Sequence, residues 1–224
     1  MSTEEAVLRR LCAGVCLAAG LLLCALAAPR TIAYGLVGAD GGEESAALAD
    51  ARARFTQALA VHPSDSDIAL GLARLDLRAA RDGEAAALDA ALAHLKQAAA
   101  HAPNETFIWA ELARTAMLQG AEARTVIPHL RLSSLTGRFE LSSVLMRPPV
   151  ALSYWDELPE DLKHDARRDL GGLWSRPQLR GRLVRLYLGL GYKERAILLD
   201  EVFPGRELRA RFLNDYVLAR ARAH

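Results

Sequence analysis

The sequence predicts an all-α protein built from repeated helix pairs behind one N-terminal membrane helix, and three observations predict it. Hydrophobic residues make up 51% of the 224 but aromatics only 6%, so the apolar mass is Ala and Leu, which suits helix packed on helix. Apolar residues recur at helical spacing, as in Leu48, Ala51, Phe55, Ala58 and Leu59, and no alternating strand pattern of useful length appears. One pattern also occurs twice: Ala51, Phe55, Ala58 and Pro63 share their spacings with Ala91, Leu95, Ala98 and Pro103, 40 residues on.

Charge and cysteine content narrow the function classes. Lys plus Arg number 28 against 27 Asp plus Glu, a net charge of +1, which gives no global reason to expect nucleic-acid binding. Extended disorder does not fit so apolar a chain. Cys12, Cys16 and Cys24 all lie in the first apolar stretch, which excludes a disulfide framework or a Cys-based zinc site in the remainder.

The amino terminus comes first. Residues 11–28, LCAGVCLAAGLLLCALAA, carry no charged or strongly polar side chain. As a helix they span about 27 Å at 1.5 Å per residue, just enough for a hydrocarbon core of about 30 Å. Arg9 and Arg10 precede the stretch, whereas Asp40, Glu43 and Glu44 follow it, so the basic excess predicts a cytoplasmic amino terminus and a translocated body. A signal peptide cleaved after Ala27 in Ala25-Leu26-Ala27 is the alternative. The long apolar run and the Pro29-Arg30 start favour a retained anchor, so residues 1–30 read as tail and anchor. Cys12, Cys16, Gly20, Cys24 and Ala28 recur every four residues as a ridge of small side chains, the surface that lets membrane helices approach closely. An ordinary apolar anchor in a chain rich in small residues is the competing account. Residues 31–43 contain four glycines and lose periodicity, which predicts a flexible spacer.

Residues 44–137 are the repeats. The alanines let two helices lie close, Phe55 or Leu95 fills the gap, and Pro63 or Pro103 ends the helix. Ser64 with Asp67, and Asn104 ahead of Phe107 and Ile108, predict the caps of the helices that follow. Leu72-Ala73 and Leu112-Ala113 fall nine and ten residues after the prolines. A third unit keeps Pro128, Leu132 and Leu135 at the spacings 4 and 3. Residues 138–224 continue as helices with weaker repetition, in which Pro159, Pro177 and Pro204 mark helix starts. Leu162, Ala166, Leu170, Leu173 and Trp174 form one amphipathic face, and the last helices close the stack.

Candidate chemistry is sparse. The acidic run WDELPEDL places Asp156, Glu157, Glu160 and Asp161 together, but Glu160 and Asp161 follow Pro159 in a first helical turn, where negative charge is favoured. The histidines share no metal-ligand spacing, and no phosphate loop or nucleophile elbow appears, so no catalytic, cofactor or metal site is predicted. Arginines concentrate after residue 175 among acidic residues, as on a solvated face.

The body resembles the tetratricopeptide repeat, whose second helix carries Ala, a large apolar residue, Ala and then Pro at these spacings, with Trp, Leu and a small residue in the first. Trp109, Leu112 and Ala113 match that first helix, although the period of 40 exceeds the family's. The resemblance implies a solenoid that binds protein partners on groove-facing positions of the first helices, here Asp65, Ala69, Asp76, Glu111, Arg114 and Thr115, with Trp109 as core or groove residue. WDELPEDL followed by LWSRPQLRGRLVRL is similar to small anchored repeat proteins that accompany bacterial exopolysaccharide or O-antigen machinery. That implies a non-catalytic scaffold at the inner membrane with its body in the periplasm and envelope-assembly subunits as partners. Two other readings stay open: an assembly factor of the cytochrome c maturation type, and an envelope enzyme acting on polysaccharide through Asp156, Glu157, Glu160 and Arg176.

Overall fold

The structure, a computed structural model, describes residues 3–37 and 45–221. Among these there is no strand. The helices are α1 Thr3–Val37, α2 Ser45–Val61, α3 Ser66–Arg81, α4 Ala87–His101, α5 Thr106–Leu118, α6 Ala123–Thr136, α7 Leu141–Ser153, α8 Glu160–Ser175, α9 Pro177–Gly189, α10 Tyr192–Val202 and α11 Arg206–Ala221, with a 3-10 turn at Trp155–Glu157. The chain divides into two compact units, Met1–His101 and Ala102–His224. That division falls inside the segment 44–137 that the sequence groups as one array.

In the first unit each helix packs on the next, α1 on α2, α2 on α3 and α3 on α4. Contrary to the spacer expectation, residues 31–37 are helical and continue α1; residues 38–43 of that spacer lie outside the described residues. Packing overrides the weak local signal, because Ala33 is fully buried and the Tyr34 hydroxyl reaches Asp65 Oδ1 at 3.5 Å and Asp67 Oδ2 at 3.4 Å. The helix also runs through Pro29, which has no amide to donate to the carbonyl four residues back.

The cap of α3 is Asp65, one residue later than the sequence suggests. Its carboxylate accepts from the amides of Asp67 at 3.0 Å and Ile68 at 3.1 Å, whereas the Ser64 hydroxyl meets His62 Nδ1 at 3.2 Å. Glu105, not Asn104, holds the same place before α5. The reason is the turn: residues 63–64 and 103–104 form its corner, so the extended φ/ψ an N-cap requires falls to the next residue. Glu140 precedes α7 in the same extended conformation, so the three N-caps lie 40 and 35 residues apart.

The far ends of α3 and α5 also match. Gly83 at φ +103° and Gly120 at φ +73° supply the left-handed residue that follows each C-cap. Their amides donate to Ala80 and Met117, and the next amides, of Glu84 and Ala121, donate to Ala79 and Ala116, a Schellman closure used twice.

The repeat extends further than the sequence suggests, in a shifted register. Its third copy is Val126, Leu130 and Ser133 in α6, at 0%, 3% and 0% exposure. Leu132 and Leu135, expected in that copy with Pro128, are 36% and 74% exposed, and Pro128 lies inside the helix rather than ending it. A fourth copy is Ala166, Leu170 and Leu173 in α8, all buried. In the second unit α5 packs on α6 and α7, α7 on α8, α8 on α9, α10 on α7 and α8, and α11 on α9. Pro177 opens α9 as expected, while Pro159 is the N-cap of α8 and Pro204 precedes α11. The last helices close over an aromatic core: Phe203 and Phe212 are fully buried and stack at 4.6 Å, with Trp174 edge-on to both at 5.2 and 5.7 Å.

Candidate interaction surfaces

The groove-facing set divides by unit and is mostly turned inward. On α3, Ala69 is fully buried and Asp76 1% exposed, with Asp65 at the cap 7% exposed. The Asp76 carboxylate accepts from Arg52 Nε of α2 at 2.9 Å and meets His94 Nδ1 of α4 at 2.8 Å; Arg52 Nη1 also reaches Glu84 at 2.8 Å. Asp76 therefore fastens three helices together. On α5, Glu111 is buried and receives Arg114 Nε at 2.9 Å and Nη2 at 2.7 Å. Thr115 is fully buried, and its hydroxyl has no hydrogen-bond partner among the described residues. Trp109 is half-buried, donates through Nε1 to the Pro103 carbonyl at 2.7 Å and stacks on His129 at 6.0 Å. Of the seven side chains, Trp109 and Arg114 keep solvent access.

The ridge on α1 is placed differently. Cys16, Gly20, Cys24 and Ala28 are exposed, while the Cys12 side chain lies outside the described residues. Gly14–Val37 is long and apolar enough to cross a membrane, and none of its apolar window is buried. Leu17, Leu21, Leu22, Leu23 and Leu26 each stand more than 60% exposed, an apolar surface of the kind that lipid or another apolar surface covers.

The carboxylates of Asp156, Glu160 and Asp161 in the acidic run are ion-paired on the surface. Asp156 binds Lys193 Nζ at 2.7 Å, Glu160 binds Arg167 Nη1 at 2.7 Å, and Asp161 pairs with Arg131. The hydrogen bond from each cation holds its carboxyl below the usual range. A general acid at neutral pH needs the opposite shift. Glu160 and Asp161 do occupy the first turn of α8, where the helix dipole favours negative charge.

Two features escape sequence reasoning. The first is a buried polar cluster around Arg147, which sits 35 residues after Leu112 and 75 after Leu72 at the same repeat position. Its Nε donates to Asp169 Oδ2 at 3.0 Å. Nη1 donates to the carbonyls of Ser133 and Gly137 at 2.9 Å each, and Nη2 to that of Arg138 at 3.0 Å. The guanidinium thus closes the C-terminal end of α6, where carbonyls lack helical partners and positive charge is favoured. Burial pushes the Asp169 carboxyl above the usual range, against the pull of Arg147 and Arg168. A charge standing where two repeats carry Leu is the signal that would have found it. The second feature is an apolar stripe of Leu132, Leu135 and Phe139, the last two 74% exposed, with the Arg168 guanidinium over the Phe139 ring at 5.6 Å. Its signal was the 4 and 3 spacing itself, read as core rather than surface.

No protein-family model and no curated protein matches the chain. Among solved structures it is similar to a thermophilic TPR protein from Thermus thermophilus, at 20% identity and a TM-score of 0.47, over 75% of this chain and 90% of that one.

Proposed function

We propose that the protein is a single-pass, membrane-anchored, non-catalytic interaction scaffold, with its amino terminus cytoplasmic and its body in the periplasm at a bacterial inner membrane. Its partners are envelope-assembly subunits of polysaccharide biosynthesis or export, and it holds no cofactor. The observation that carries the scaffold reading is the combination of an exposed, membrane-length helix with a patch of exposed large apolar side chains on the helical body. That patch is Leu132, Leu135 and Phe139, with Trp109 and Arg114 as further partner-binding candidates. Leu132 and Leu135 at the end of α6 and Phe139 in the turn after it form an apolar patch that fits a groove or helix of a protein partner. The orientation follows from the flanking charges, and the pathway from the resemblance of WDELPEDL and LWSRPQLRGRLVRL to anchored accessory proteins.

In-cell crosslinking and co-purification test this, using the full-length chain and its Leu135→Asp/Phe139→Asp variant. Polysaccharide polymerase, ligase or export subunits are expected with the wild type and lost from the variant. Cytochrome maturation proteins in their place would overturn the pathway, and a preparation without partners would overturn the scaffold.

A further inference from the structure

We propose that the turn between α2 and α3 rests at the outer boundary of the phospholipid headgroup layer, so that the first unit is docked on the bilayer rather than tethered above it. The inference rests on the membrane-anchor reading and deepens it, because its partner is the lipid surface itself.

Length along α1 carries the argument. If residues 11–28 fill the hydrocarbon core, then at about 1.5 Å per residue Arg30 stands about 3 Å and Tyr34 about 9 Å beyond Ala28. The headgroup layer on each side is about 5–7 Å thick. Arg30 Nε lies 3.6 Å from Asp65 Oδ2, and the Tyr34 hydroxyl bonds Asp65 and Asp67 at 3.5 and 3.4 Å. With Arg30 inside that layer and Tyr34 just above it, the cap and first turn of α3 are held at its outer boundary by the helix that crosses the membrane. The connection is helical throughout, since α1 is continuous through Pro29 to Val37, and Ala33 is fully buried.

The chemistry of the surrounding surface fits that depth. Ile32, Tyr34 and Val61 are 55%, 43% and 40% exposed, and Pro63 at the tip of the turn is exposed. Arg30 lies over the Tyr34 ring, 5.5 Å from its centroid. An amphipathic ring beside an arginine is a common pairing at a membrane interface. The Arg30 pairing also offsets a carboxylate that anionic lipid would otherwise repel.

Depth-dependent quenching tests the proposal on the full-length chain in phosphatidylethanolamine and phosphatidylglycerol nanodiscs, with Cys12, Cys16 and Cys24 replaced by Ala. A fluorophore is attached in turn through Leu22→Cys, Ser64→Cys and Asp82→Cys, the last at the opposite end of α3, about 24 Å away. Acyl-chain nitroxide lipid is expected to quench the probe at position 22. Headgroup nitroxide lipid is expected to quench the probe at 64 several-fold more than the probe at 82. Equal, weak quenching at 64 and 82 with strong quenching at 22 would overturn the docking while keeping the anchor. Absence of quenching at 22 would overturn the anchor and the docking with it.

Discussion

Arg147 and Asp169 form a buried ion pair between α7 and α8, Nη2 to Oδ2 at 2.9 Å, with side chains 2% and 3% exposed. A pair so placed adds little net stability relative to apolar packing, because both charges have left water. Removing one partner is another matter.

Arg147→Ala leaves the Asp169 carboxylate buried beside Arg168 alone and uncovers the Ser133, Gly137 and Arg138 carbonyls. The expected cost is about 3–5 kcal/mol, seen as a lowered midpoint in chemical denaturation. A double variant, Arg147→Leu with Asp169→Leu, is expected to cost less than Arg147→Ala, since Leu is what the repeat carries at 72 and 112.

Gly71 and Phe55 are matched across α2 and α3. A Cβ on Gly71 would stand 2.2 Å from Phe55 Cε1, with the neighbouring ring carbons Cδ1 and Cζ at 3.0 and 3.1 Å. Gly71→Ala is therefore expected to destabilise the first unit by about 1–3 kcal/mol through overpacking. Phe55→Leu, which copies Leu95 at the equivalent position, is expected to recover much of that loss, and a double-mutant cycle by thermal denaturation reads the coupling.

Phe212 locks α11 to the second unit, fully buried and edge-on to Tyr187 at 5.1 Å. Phe212→Ala is expected to cost about 3–5 kcal/mol. The amides of α11 should lose protection in hydrogen exchange first, while those of α5 and α6 keep theirs.

The pH response has two opposing parts. Asp156, Glu160 and Asp161 have carboxyls held below their ordinary range in the folded state, so the unfolded chain binds more protons below about pH 4 and stability falls as acid is added. Their triple amide variant, Asp156→Asn/Glu160→Gln/Asp161→Asn, should flatten the acid side of the stability profile. Asp169 has the reverse sign. Burial raises its carboxyl, so the folded state takes up its proton first, and stability falls as pH rises from the ordinary carboxylate range through that raised value. Asp169→Asn should remove this decline.

The helical period, the copied Ala-Phe-Ala-Pro pattern and the apolar run at 11–28 were legible because each is a local regularity that side-chain chemistry imposes on one helix at a time. The third copy was misread for a related reason. Pro128-Leu132-Leu135 and Val126-Leu130-Ser133 have the same spacings on one helix, and only the neighbours of α6 determine which side is covered. The capping positions moved by one residue because the turn geometry, not the presence of Ser64 or Asn104, sets which residue is extended. The groove candidates Asp76 and Glu111 follow from the repeat resemblance as first-helix positions, yet Asp76 is taken by Arg52, 24 residues away on α2, and Glu111 by Arg114 at i,i+3 on its own helix.

By itself the sequence determined the all-helical class, the repeat and the membrane-length helix, since these depend on residue type and short-range period. Tertiary structure alone decided that α1 runs on into the folded unit, that Arg147 turns inward where two repeats hold Leu, and that Leu135 and Phe139 face out. Each depends on which surface a side chain meets across tens of residues. Burial and charge pairing over that distance are properties of the packed helices and not of any one of them.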